Sequence, residues 1–161
     1  MFDTGYKVRD AENHEVFRLT EICESVLQES TTYRHMEFSR EKTANFIMDG
    51  ILKRPNTFLR IIVDEDNKPV GGIMCIIEDC PFGPHKQAYD VTVMIDKEHR
   101  GKCLPQLVQI INEYKAWATA EGAKIIKLGI SSGLNIDKAS DFLERMGFAH
   151  IGSSHGYHVG A

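Results

Sequence analysis

No stretch of the chain stays apolar long enough to cross a bilayer, and Met1-Phe2-Asp3-Thr4 does not open a secretory signal. An excess of basic charge is also missing. Nineteen Lys and Arg stand against 23 Asp and Glu, a formal charge of -4, so electrostatics give no reason to expect nucleic acid or a membrane surface as a partner. The four cysteines, Cys23, Cys75, Cys80 and Cys103, have no metal-ligand spacing, Cys75 and Cys80 being too far apart for C-x-x-C. Reduced thiols in a cytoplasmic protein are the expectation. The seven histidines form no H-x-x-x-H pattern. His155 and His158, three apart in a strand-like tail, would face opposite ways, so no metal site is expected. Repeats and low-complexity linkers are lacking too, which leaves one domain over residues 1–161.

What remains is a soluble globular profile, 161 residues with 42% apolar and 26% charged side chains. Tyr6 to Arg9 reads as a short strand. From Asn13 to Glu29, Val16, Leu19, Ile22, Val26 and Leu27 repeat with helical spacing. After a polar and aromatic loop, Ser30 to Met36, Ser39 is placed to cap a second helix that Pro55 stops. Phe58–Val63 and Val70–Glu78 read as a hairpin, with Gly71-Gly72 marking a bulge or a close backbone approach.

The richest stretch runs from Tyr89 to Gly122. The β-branched run Val91 to Ile95 predicts a strand. The charged turn Asp96 to Lys102 follows, and then Leu104, Leu107, Val108, Ile111, Tyr114 and Ala118 mark one face of a long helix. Unpartnered N–H groups at the positive end of such a helix suit a phosphate or diphosphate. Lys124 to Ile130 reads as another strand and Asp137 to Met146 as a short helix that Gly147 ends. Phe148 to Val159 is expected to form one strand or a hairpin. The single Trp117 lies on the Tyr114 side of the long helix, where core packing or a subunit contact, as in a homodimer, is its expected role.

The turn Arg100-Gly101-Lys102-Cys103-Leu104-Pro105 resembles the R/Q-x-x-G-x-G/A motif of the GNAT superfamily of acyl-CoA N-acyltransferases, with Cys103 and Pro105 at the two small positions. Asn135, Ala139 and Phe142 to Phe148 resemble the family's C-terminal N-x-x-A…Y-x-x-x-G-F pattern, with Leu143 in place of the tyrosine. The resemblance spans essentially the whole chain. It implies an α/β GNAT-like fold: a mixed, mostly antiparallel sheet of six to seven strands, helices on both faces, splayed between the fourth and fifth strands. It further implies acetyl-CoA as acyl donor. The backbone of Val93, Met94 and Ile95 would pair with the pantetheine arm. The turn carrying Arg100, Gly101, Lys102, Cys103, Leu104 and Gln106 would hold the diphosphate, and Asn135 would face it from the far side.

Acyl transfer to an amine needs a base, donors for the tetrahedral oxyanion, and an acid for the thiolate. Asp90 at the start of the fourth strand is the expected base, with Tyr89 and Glu78 behind it; a solvent-facing Asp90 is the plain alternative. Leucine donates no proton, so Tyr157 or His155 would stand in as the acid. The acceptor is a primary amine, on a small molecule or a protein, facing the Tyr33–Met36 and Phe82–Lys86 loops. Cys103, Pro105 and Leu143 also motivate the alternative of a GNAT-fold binding protein without turnover. A third possibility is that another acyl-CoA or a nucleotide fits the altered turn.

Overall fold

The structure, a computed structural model, describes residues 4–129 and 135–160. Its elements follow the order β1 (Lys7–Arg9), α1 (Val16–Glu29), α2 (Arg40–Ile51), β2 (Thr57–Val63), β3 (Pro69–Asp79), β4 (Lys86–Ile95), α3 (Leu104–Ala120), β5 (Ala123–Ile126) and α4 (Ile136–Arg145). One sheet holds the strands in chain order, β1-β2-β3-β4-β5. Neighbours are antiparallel except β4 and β5, which run parallel because α3 crosses over between them.

Strand alternation divides the core into two layers. Leu59, Ile61, Val63, Met74 and Met94 face Val16, Leu19, Ile22 and Cys23 of α1 and Ile47 of α2. Their neighbours Phe58, Ile62, Ile73, Cys75, Ile77 and Ala88 face Ile110, Ile111, Tyr114 and Ala118 of α3. Phe142 and Met146 of α4 pack on this second layer. Burying both faces accounts for the nearly unbroken apolar runs of β2 and β3. Ser39 caps α2 as its position predicted, its Oγ accepting from the Lys42 N–H at 3.2 Å.

Gly71 and Gly72 serve both expected purposes. The register slips between Ile62 and Val63, which leaves Val70 as an extra residue beside them. A Cβ on Gly71 would stand 2.5 Å from the Met94 carbonyl oxygen, and one on Gly72 would stand 2.6 Å from that of Arg60.

The strand count is a correction. Five strands form among the described residues, not six to seven. The strand expected from Lys124 stops at Ile126, and the end of that expected span, with the loop before Asn135, lies outside the described residues. The tail from Phe148 carries no strand. Three glycines, Gly152, Gly156 and Gly160, alternate through it, and glycine gives a strand little to pack. In the tail, His158 stands edge-on to His35 with centroids 5.7 Å apart, and Lys115 Nζ lies 5.6 Å from the centre of the Phe148 ring.

Candidate active site

Among the described residues the sheet opens between β4 and β5. β4 and β5 pair from Lys86↔Ala123 to Ala88↔Ile126, and one more rung follows, the Lys127 N–H donating to the Ala88 carbonyl at 2.8 Å. Beyond Ala88, β4 runs on to Ile95 without β5 beside it. A bulge at Val91, where Cys75 opposes Asp90 and Met74 opposes Thr92, marks the crotch of this fork. Val93, Met94 and Ile95 therefore carry a strand edge turned away from β3. Their side chains are committed elsewhere: Met94 to the α1 layer, Val93 and Ile95 to the α3 layer. Main chain is what these residues present to the gap, and the Ile95 carbonyl is held by Arg100 Nε.

At the open end the turn after β4 is fastened on several sides. Asp96 pairs with Arg18 of α1. Tyr6 Oη and His99 Nδ1 are 2.9 Å apart, their rings edge to face. Gly101 takes φ +77°, and an ideal Cβ there would meet nothing within 4 Å, so the turn's outer surface stays open. Cys103 turns inward, 2% exposed, with Sγ 3.6 Å from the His99 carbonyl; burial pushes its thiol pKa up. A raised pKa argues against a reactive thiolate. It also removes the objection to a cysteine in the turn, because the side chain does not stand where close approach is needed. No side chain caps α3, and Pro105 sits in its first turn, where a missing N–H costs no intrahelical bond.

The cations of this turn differ. Lys102 is exposed and makes no ion pair among the described residues. Arg100 donates from Nη1 and Nη2 to the Glu29 carboxylate at 2.6 and 3.3 Å, and from Nε to the Ile95 carbonyl at 3.0 Å. Gln106 points inward rather than to the turn. Its Nε2 donates to Thr4 Oγ1 at 2.9 Å and to the Tyr6 carbonyl at 3.1 Å, while its buried Oε1 has no partner among the described residues. Leu104 is half exposed at the helix start. Asn135 precedes α4 with φ +47° and does not cap it through its side chain.

Asp90 is part-exposed. Its Oδ1 accepts from the Gly129 N–H at 2.7 Å. Burial raises its carboxyl pKa above the ordinary value, against the lowering effect of bonds from the Gly129 N–H and its own. Tyr89 and Glu78 lie on the other face. Glu78 Oε2 accepts from Tyr89 Oη at 3.1 Å and its Oε1 from Gln87 Nε2 at 2.9 Å. Burial first, and then Glu78, raise the Tyr89 pKa. Lys127 Nζ donates to Gln87 Oε1 at 3.0 Å, extending this chain of polar groups to β5. Tyr157 is 88% exposed on the strandless tail, so nothing in the fold aims its hydroxyl at the fork. Leu143, at the motif's tyrosine position, is half-buried on α4. Among the described residues no cluster of His, Cys, Asp or Glu is arranged to hold a metal. No helix among the described residues is long and apolar enough to cross a membrane.

The Glu29 partner of Arg100 and the Gly129 partner of Asp90 were invisible in sequence. They come from elements 71 and 39 residues away.

Known structures share this architecture. A glucosamine-6-phosphate N-acetyltransferase from Arabidopsis thaliana superposes with a TM-score of 0.70 at 15% identity, covering 96% of this chain and 98% of that one. An aminoglycoside acetyltransferase from an uncultured soil metagenomic sample, in complex with trehalose, gives 0.69 at 16% identity and 99% of each chain. A transcriptional regulator from Bacillus halodurans C-125 gives 0.69 at 16% identity, covering 95% and 99%. At such identities the likeness speaks for the fold alone. No curated protein sequence matches the chain. The acetyltransferase (GNAT) family model, however, matches residues 19–148, most of the chain and every element from α1 to α4. The chain belongs to the GNAT acetyltransferase family.

Proposed function

We propose that the protein transfers an acetyl group from acetyl-CoA to a primary amine by direct attack. The observation that carries this reading is the fork: a parallel strand pair that parts after one further rung, with an uncapped helix start at its open end. Three features fit acyl-CoA to it. The β4 edge from Val93 to Ile95 offers main-chain groups to a pantetheine amide. The first turn of α3 offers N–H groups and the dipole's positive end to a diphosphate. Gly101 keeps the turn's surface open, and Lys102 adds an exposed charge beside it. When bound, acetyl-CoA supplies the activated thioester carbonyl.

The chain's own residues do the rest. The amine must be neutral to attack, and Glu78 is an exposed carboxylate on the α1–α2 face, paired to Gln87 just before the last rung. It takes the amine's proton directly or through water, oriented by Tyr89 and Gln87. A β4 N–H near the bulge serves the oxyanion. No protein acid is assigned to the CoA thiolate, which leaves well enough to be protonated by water. Titration calorimetry with CoA, acetyl-CoA and longer acyl-CoAs, followed by release of free thiol in the presence of an amine panel, tests the reading. Saturable CoA binding with amine-dependent thiol release supports it. Binding without release would favour a GNAT-fold binding protein, and silence towards all acyl-CoAs would end both.

A further inference from the structure

The parting of β4 and β5 has a local cause. In a regular parallel ladder each residue of one strand bonds two residues of its neighbour that flank it. Lys127 donates its N–H to Ala88, so its carbonyl should accept the Asp90 N–H, and the Gly129 N–H should reach the Asp90 main-chain carbonyl. Neither the Lys127 carbonyl nor the Gly129 N–H follows that course. The Lys127 carbonyl accepts instead from Tyr114 Oη at 2.9 Å, pulled toward α3. The Gly129 N–H goes to Asp90 Oδ1, a side chain's length beyond the carbonyl it would otherwise meet. The Lys127 carbonyl and the Gly129 N–H are both satisfied where they stand, so neither is orphaned by leaving the ladder. The Val91 bulge follows at once and turns the rest of β4 aside.

We propose that Asp90 and Tyr114 are positioning residues that stop the β4–β5 ladder one rung past Ala88 and hold the fork open for the acyl-CoA arm. The opening itself stands on the hydrogen bonds alone; its use for acyl-CoA rests on the acetyltransferase reading. Tyr114 suits the task because it is wholly buried in the α3 layer, stacked with Trp117 and beside Phe58, so its hydroxyl has a fixed place. Asp90 stands opposite Cys75 in the β3–β4 pair, on the α3 side of the sheet and away from the Glu78 face. This assigns Asp90 a bond to hold rather than a proton to move.

The test joins a ligand-free measurement to CoA binding. In wild-type protein the Gly129 amide proton shift follows the ionisation of Asp90 as pH is varied, and in D90N that titration disappears while the bond to Oδ1 persists. D90N is expected to hold CoA within about threefold of wild type, since the acceptor is kept. D90A/Y114F removes both diversions and lets the strands close by further rungs; cross-strand proton contacts between residues 90 and 127 should appear. The double variant should then weaken CoA by about tenfold or more, the equivalent of one to two lost hydrogen bonds. Wild-type affinity in D90A/Y114F would overturn the proposal, as would a Gly129 shift indifferent to Asp90. An acidic limb of the pH–rate profile lost in D90N, with CoA affinity intact, would make Asp90 the base instead. If the wild type binds no CoA, the acetyltransferase reading fails, and the Gly129 titration and cross-strand contacts still decide the opening.

Discussion

Replacing Lys102 should damage cofactor binding more than replacing Arg100, although the motif is headed by the arginine. To reach a diphosphate, Arg100 must first leave a two-pronged ion pair with Glu29, at 2.6 and 3.3 Å, and a 3.0 Å bond to the Ile95 carbonyl. Its contribution to binding is the difference between the bonds gained and those surrendered. Exposed ion pairs amount to about 0.2–1 kcal/mol, so the competing interaction is of the same order as the gain. Lys102 gives up nothing among the described residues. On that basis K102A should weaken CoA by about fivefold, and K102E, which replaces attraction by repulsion, by about 30-fold or more at low salt. R100A should cost no more than about threefold, and E29Q, by releasing Arg100, should tighten CoA by up to about fivefold. Calorimetry with CoA and with pantetheine, which lacks the diphosphate, separates turn from strand edge: neither Lys102 variant should alter pantetheine binding. The K102E effect should also shrink as salt is raised. If R100A exceeds K102E, or E29Q weakens CoA, the ranking and its reasoning are wrong.

Gly72→Ala should destabilise by about 2–3 kcal/mol, because the new Cβ meets the Arg60 carbonyl oxygen and main chain cannot yield as a side chain can. For a domain of this length that lowers Tm by roughly 5–10 °C in a thermal scan. Glu15 is buried; burial alone would raise its pKa, but the Arg9 hydrogen bonds and the Glu12 N–H outweigh it and hold the carboxyl below its ordinary 4.5. The stability it adds is therefore complete above that value and lost as pH falls through the lower folded one, so E15Q should flatten the acid limb of a denaturant-unfolding series. Asp90 has the opposite sign. Its folded pKa lies above 3.8, so ionisation costs stability as pH rises through the folded value. D90N should match wild type in strong acid and be the more stable of the two at neutral pH.

Much of the fold was legible because side-chain periods report burial. The Leu104–Ala118 spacing gave α3, Ser39 gave the start of α2, and the paired glycines gave the tight crossing of β2, β3 and β4. The fork's position was legible only through a resemblance. Its cause was not, since Asp90, Tyr114, Lys127 and Gly129 meet only after α3 has crossed the sheet. The tail from Phe148 to Val159 was expected to be one strand or a hairpin, whereas a strand also needs a neighbour to bond, and the tail forms none. Arg100 was read by its charge, and the carboxylate that occupies it lies on a helix with no sequence signal linking the two.

The fold also carries its own optical gauge. The chain's single indole, Trp117, lies 5.4 Å from the Phe58 ring and 6.3 Å from the Tyr114 ring, and it is the hydroxyl of that tyrosine that grips the carbonyl at the crotch. A guest that pries the strands wider must tug on the phenol and disturb the stack, so tryptophan emission can report arrivals in the cleft without any attached dye.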